Sequence, residues 1–369
     1  MKFINKYLRN LAPYKVASHR IWEVSPTEQK AILKLDWNEA TIPPTPLVEK
    51  RLSEFIQNRS AFQLYPSTHN KELTGLLSHY TNLPSENIQY FASSDSLHEY
   101  IVRMFVAPGD PILILGPTYD NFRLTCESQG ARIFFFEFNE DFQIDLEQFE
   151  SKINIVNPSL VYICNPNNPT GNTFKNEELL KLVKAHLNTL FLIDEAYFEF
   201  HGQTIAEEVR NFQNILITRT FSKAFALANF RAGYLLAHQE NIAQISKIRN
   251  PKNISSFAQE AMVAALQDTE YMLNYVQEVN LAKQQFSLDV AQLSFVDKVL
   301  PSQGNFVLVI FENDKTKNQV FDFLATRDIF VRNLSHSALL QNALRITVGT
   351  RKQMESVLEA LTAYKNEYR

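Results

Sequence analysis

Glycine is scarce in this chain: nine among 369 residues. None falls in a G-x-G-x-x-G string, or in a G-x-x-x-x-G-K string ending in Ser or Thr. Neither a Rossmann dinucleotide site nor a P-loop is therefore supported. Cysteine is scarcer still. Cys126 and Cys164 lie far apart with no C-x-x-C, which argues against a disulfide framework and fits a reducing compartment. Eight histidines show no H-E-x-x-H or other ligand spacing, so no metal is expected. Long apolar runs are missing too. Phe306–Phe311 is far too short to span a bilayer, and the charged start, Met1 to Arg9, has no apolar signal core. A net charge of -4 gives no broad attraction to nucleic acid or to an anionic membrane. A cytoplasmic protein is expected, with no nucleic acid and no membrane as partner.

What is present reads as soluble and globular, with 45% apolar and 21% charged residues. The length is too great for one ordinary core and suggests two packed units. Residues 1–45 read as an irregular arm, because Pro43, Pro44 and Pro46 deny it a long helix. Such an arm is stable only if it lies on the small domain or on a neighbouring subunit. Residues 46–245 alternate short β-runs with helical patterns. The runs are Ile88–Phe91, Pro111–Leu115, Arg132–Phe136, Leu160–Cys164, Leu190–Ile193, Ile215–Thr218 and Tyr234–Ala237. Near-continuous apolar strands separated by helices predict an α/β unit: a mostly parallel seven-stranded sheet covered by helices on both faces. Residues 246–369 change texture to a smaller α+β unit. It has β-runs at Phe306–Phe311, Ile329–Val331 and Leu344–Val348, and a last helix from Arg351.

Ligands of such sheets bind beyond the carboxyl ends of the strands, so the strand ends carry the chemistry. After Ile88–Phe91 come Ser94 and Asp95 at a helix start, which could be a plain N-cap or an anion site. After Pro111–Leu115 comes Tyr119, a core or surface tyrosine or a flat stacking face. After Leu160–Cys164 comes Asn165-Pro-Asn-Asn168-Pro-Thr-Gly171. A turn needs only two or three of these residues, and Asn168 would offer a fixed amide. Asp194 directly follows four apolar residues, a costly place for a carboxylate unless it meets a cation, and Tyr197 is three residues on. Finally Thr220, Ser222 and Lys223 follow Ile215–Thr218, with Arg231 eight residues beyond Lys223. An amine on a rigid edge can form a Schiff base, and hydroxyls with a guanidinium can hold a phosphate. Amine, carboxylate, amide, phenol, flat aromatic and phosphate holders together match the needs of pyridoxal 5'-phosphate.

These strings resemble those of the fold-type I, aspartate-aminotransferase-like enzymes that use this cofactor. The chain is most similar to the histidinol-phosphate aminotransferase family. The resemblance runs from about Leu33 to Thr350. It rests on Asn165–Gly171, Asp194-Glu-Ala-Tyr197, Ser222-Lys223 with Arg231, and Leu344-Arg-Ile-Thr-Val-Gly-Thr350. It implies the fold of the pyridoxal-phosphate-dependent transferases and a set of roles. Lys223 forms the Schiff base and moves the proton. Asp194 keeps the pyridine nitrogen protonated. Asn168 and Tyr197 bond the ring hydroxyl, and Tyr119 stacks on the ring. Ser94, Asp95, Thr220, Ser222 and Arg231 hold the phosphate, with Tyr65 reaching the site of a neighbouring subunit. Arg345 grips the substrate carboxylate as a fork, and Arg332 meets a substrate phosphate or forms a surface ion pair.

The chain departs from the family pattern in two places. Ser93-Ser-Asp-Ser96 lacks the usual glycine and glutamate, and the stretch 333–342 between Arg332 and Arg345 lacks an expected glycine. Both concern substrate more than cofactor. The resemblance thus implies a ping-pong aminotransferase acting on an amino acid, glutamate, and on imidazole-acetol phosphate or another small phosphorylated ketone. A decarboxylase or lyase of the same fold, or an aminotransferase for aromatic amino acids, are the alternatives. A homodimer with shared sites is expected.

Overall fold

The computed structural model describes residues 3–9, 11–12, 20–334 and 338–368. Twelve strands among them form two sheets. The first strand, β1 (Leu33–Leu35), comes from the arm. The large sheet holds β2 (Ile88–Phe91), β3 (Pro111–Gly116), β4 (Arg132–Glu137), β5 (Leu160–Cys164), β6 (Leu190–Asp194), β7 (Ile215–Thr220) and β8 (Gly233–Ala237). The small sheet adds β9 (Val296–Leu300), β10 (Phe306–Phe311), β11 (Ile329–Asn333) and β12 (Ala343–Thr347) to β1.

The large sheet runs β2-β8-β7-β6-β5-β3-β4. Strands β3 to β7 are parallel, and β8 is antiparallel to both neighbours. Every residue of β5, β7 and β8 is buried, as helices on both faces of a parallel sheet require. Strand order then fixes where a ligand can sit. β4 lies on one side of β3, while β5, β6 and β7 step away on the other. That reversal opens a crevice outside the carboxyl ends of β3 and β5. The antiparallel β8 matters as well. Thr220 of β7 pairs with Gly233 of β8, so residues 221–232 leave and re-enter the sheet at one edge. Lys223 and Arg231 therefore emerge beside the same crevice.

The small sheet runs β1-β11-β12-β10-β9. The arm is less irregular than its prolines suggest, because Leu33–Leu35 pairs in parallel with Ile329–Val331. Three residues are too few to show a period, and their partner lies far away in sequence. Strand β9 and the helix Leu146–Val156 likewise go beyond the elements expected. The prolines act as helix starters: Pro26 and Pro46 each sit in the first turn of a helix capped by Ser25 or Thr45. One continuous apolar core links both sheets, from Leu35 in the arm to Leu361 in the last helix. No helix among the described residues is long and apolar enough to cross a membrane.

Candidate active site

A cavity of about 660 Å³ lies at the crevice, a volume suited to a cofactor with a small substrate. Ser94, Asp95, Tyr119, Asn168, Asp194, Tyr197, Thr220, Ser222, Lys223, Arg231, Arg332 and Arg345 all line it. The sequence scatters these residues over some 250 positions, and the strand ends bring them together. Tyr65 is not among them. It is 78% exposed, with the Lys252 ammonium 4.1 Å above its ring.

Lys223 sits just past β7. Its Nζ donates a 2.8 Å hydrogen bond to the Trp37 carbonyl, so the arm aims the amine. No carboxylate among the described residues lies within ion-pair distance of it. Burial, and then the Arg345 guanidinium, push its pKa down from 10.5 to about 8. Roughly a tenth of such amines are neutral at pH 7, far more than for an ordinary lysine. A neutral amine is the nucleophilic form.

Asp194 ends β6 and is buried. Its outer environment is all donors. The Tyr162 hydroxyl donates to Oδ2 at 2.9 Å, and the Thr218 hydroxyl donates to Oδ1 at 3.2 Å. His98 Nε2 lies 3.8 Å from Oδ2. Phe122 stacks on Tyr162, with ring centroids 4.3 Å apart, and holds the phenol in place.

Opposite the lysine, Asn168 Oδ1 accepts a 2.6 Å bond from Arg345. The Asp36 carbonyl accepts a second from the same guanidinium. The fork is thereby oriented before any ligand arrives. The Tyr197 hydroxyl accepts from Asn38 Nδ2 at 3.0 Å, and burial pushes its pKa up. Arg345 in β12 lies directly across from Arg332 in β11, and both side chains reach the cavity.

At the other end, Asp95 gathers three donors. Tyr119 Oη and Asn121 Nδ2 donate to Oδ1 at 3.0 and 3.2 Å, and Arg231 donates to Oδ2 at 3.0 Å. The Arg231 side chain is half-exposed. Ser222 N donates to Thr220 Oγ1 at 3.1 Å, and the Thr220 hydroxyl donates to Ser222 Oγ at 3.0 Å. Gly233 lets this end close. A Cβ there would sit 2.8 Å from the Arg219 carbonyl oxygen and 2.9 Å from the Ser94 nitrogen. The helix Ser93–Phe105 thus presses its first turn against β8, with Ser93 in the left-handed region at φ 80°. Ser96 N donates to Ser93 Oγ at 3.2 Å, and the remaining N–H groups of such a helix start can bind an anion.

The donor set fits a phosphorylated pyridine aldehyde. Hydroxyls, a guanidinium and a helix start stand at one end, a carboxylate held by donors at the back, and an amine of lowered pKa between them. Residues outside the expected set complete it: Trp37, Asn38, His98 and Tyr162. One of them left a sequence signal: Tyr162 is a phenol inside the apolar run of β5. Asn38 takes φ 56°, a region asparagine tolerates.

Comparison with known proteins agrees. Residues 30–361 match the family model for aminotransferase class I and II, and the chain belongs to that family. It is 41% identical over 367 residues to the dihydroxyacetone phosphate transaminase of Campylobacter jejuni, covering 98% of this chain and 96% of that protein. It is 32% identical over 366 residues to the histidinol-phosphate aminotransferase of Ruminiclostridium cellulolyticum, covering 98% of each. The crystal structure of histidinol-phosphate aminotransferase from Sinorhizobium meliloti in complex with pyridoxal-5'-phosphate is similar, with TM-score 0.88 and 25% identity over 100% of this chain and 99% of that one. The chain is a pyridoxal-phosphate-dependent transaminase of fold type I.

Proposed function

We propose that this transaminase moves an amino group from glutamate to a small phosphorylated ketone of the dihydroxyacetone phosphate type, in two half-reactions that share one cavity. The carrying observation is the pair Arg332 and Arg345, opposed across β11 and β12 and both lining the cavity. Like charges directly opposite on a sheet are destabilising. A site that serves two anions in turn gives them a purpose. Arg345, pre-oriented by Asn168 and the Asp36 carbonyl, forks the α-carboxylate of glutamate. Arg332 pairs with the phosphate of the ketone. Trp22, Trp37 and Leu334 line the same cavity, and their bulk suits a small ketone better than one bearing an imidazole. The 41% identical relative supports the same acceptor.

Pyridoxal phosphate, when bound, supplies an aldehyde for the amino group and a ring that takes up the electron pair released at the substrate Cα. The chain does the rest. Lys223 Nζ, aimed by the Trp37 carbonyl, would hold the aldehyde and would take up the proton from the substrate Cα. Asp194 would accept the ring N–H. Asn168 and Tyr197 would bond the ring hydroxyl, and Tyr119 would offer its ring as a stacking face. Ser222, Thr220, Arg231 and the backbone amides of Ser94 and Asp95 would hold the phosphate. The exposed Tyr65 serves the cavity of a second copy in a homodimer. The buried thiols of Cys126 and Cys164, neither in a disulfide, fit a cytoplasmic setting.

An acceptor panel tests this reading. Glutamate-treated enzyme is offered dihydroxyacetone phosphate, imidazole-acetol phosphate and dihydroxyacetone, and product amines are counted by mass spectrometry. The highest kcat/KM is expected with dihydroxyacetone phosphate. A preference for imidazole-acetol phosphate would instead assign the histidinol-phosphate reaction, and equal use of dihydroxyacetone would remove the phosphate from recognition.

A further inference from the structure

We propose that His98 is a positioning residue for Asp194. It is the first donor in a relay, His98 Nε2–H to Thr218 Oγ1–H to Asp194 Oδ1, that fixes the carboxylate toward the pyridine nitrogen. The inference rests on the role given to Asp194 above. His98 projects from the helix Ser93–Phe105 into the space behind the cavity and is buried. Its Nε2 lies 3.2 Å from Thr218 Oγ1, whose hydroxyl lies 3.2 Å from Asp194 Oδ1.

A hydroxyl has one proton. If Thr218 donates to Asp194, it must accept from His98, so Nε2 carries the proton. The ring is held for that purpose. Phe122 and Tyr162 meet it edge-on, with centroids 5.5 and 5.9 Å away. Nδ1 is buried and has no hydrogen-bond partner among the described residues. Leaving a buried ring nitrogen unpaired is costly. A residue kept for packing alone would be apolar here, since Leu97 and Ile101 beside it on the helix are buried apolar residues.

Together with Tyr162 on Oδ2, the relay occupies the rear lone pairs of both carboxylate oxygens. The remaining lone pairs face the cavity. Groups that orient the ligands of a metal from behind carry about 10-fold to 100-fold of its affinity or activity, and a carboxylate held toward a ring nitrogen is expected to follow the lower end of that scale.

The test uses holoenzyme. In ¹⁵N-histidine-labelled protein, the His98 resonances, assigned by their loss in His98→Gln, are expected to show a protonated Nε2 and a bare Nδ1. The opposite tautomer would overturn the relay. In kinetics, His98→Leu is expected to lower kcat about tenfold and to speed cofactor release about tenfold. The KM for glutamate should move by less than about twofold. His98→Gln, which keeps an N–H donor, should recover most of both losses. Unchanged kcat and cofactor release in His98→Leu would overturn the proposal, as would equal losses in the two variants that only track their melting temperatures. Asp194→Asn is the control. If it keeps full turnover, the role of Asp194 itself fails, a result distinct from failure of the relay.

Discussion

Replacing Arg332 with glutamine separates phosphate recognition from the rest of the cavity. Its Cα lies opposite that of Arg345. Residues in that relation keep their Cβ atoms about 4.5–5.5 Å apart, and like charges there cost about 0.2–1 kcal/mol. Relief of that repulsion and loss of the contacts the Arg332 side chain makes act in opposite directions, so the ligand-free Tm should move by no more than about 3 °C either way. The catalytic effect is larger. A charge-assisted hydrogen bond to phosphate contributes about 1.5–3 kcal/mol. Its loss should lower kcat/KM for dihydroxyacetone phosphate about 10-fold to 150-fold. With Arg345 proposed as the carboxylate fork, the glutamate half-reaction should change by less than about threefold. Stopped-flow absorbance of each half-reaction and a thermal melt of the ligand-free protein read all three quantities. Equal losses for phosphorylated and unphosphorylated ketones would refute the reasoning. So would a fall in Tm that accounts for the lost activity.

Three further substitutions probe the framework. Arg345→Gln removes the second cause of the low Lys223 pKa, so the pH midpoint for cofactor uptake by apo-protein should rise above about 8; a midpoint that stays put would contradict the electrostatic account. Gly233→Ala drives a Cβ into two backbone atoms, and should destabilise by about 1–3 kcal/mol and weaken cofactor retention; denaturant melts and dialysis would show either effect, and a neutral outcome would mean that the helix start is not pressed on β8. Burial lifts Glu199 from 4.5 to about 7. The folded state then holds the proton more tightly than the unfolded one, and stability falls as pH rises from about 4.5 through about 7. Glu199→Gln should therefore raise Tm more at about pH 8 than at about pH 5, and an equal gain at both would refute the assignment.

What the sequence makes legible follows the length scale of each feature. Strands such as Leu160–Cys164 are apolar throughout because both faces are covered, and that run is visible without a structure. Lys223, Asp194 and Asn168 stand directly after such runs, so their placement in one crevice follows from strand order. The antiparallel β8 is not visible this way, since antiparallel pairing leaves no mark in a five-residue apolar run. Nor is β1, whose three residues gain meaning only beside Ile329–Val331. The supporting groups are hidden for the same reason. Asn38 reaches Tyr197, and the Trp37 carbonyl reaches Lys223, across more than 150 positions of chain. Backbone acceptors carry no side-chain signature at all. Tyr65 differs again: its ring is exposed on the single chain, and the role proposed for it requires a second copy.

The central claim is amino transfer from glutamate to a phosphorylated ketone through Lys223. The most direct measurement mixes holoenzyme with ¹⁵N-glutamate and dihydroxyacetone phosphate and follows the label. The account predicts ¹⁵N in a phosphorylated amine, with one 2-oxoglutarate released per amine formed, and no product from Lys223→Ala. Carbon dioxide released from the amino acid in place of 2-oxoglutarate, or full labelling by Lys223→Ala, would contradict it.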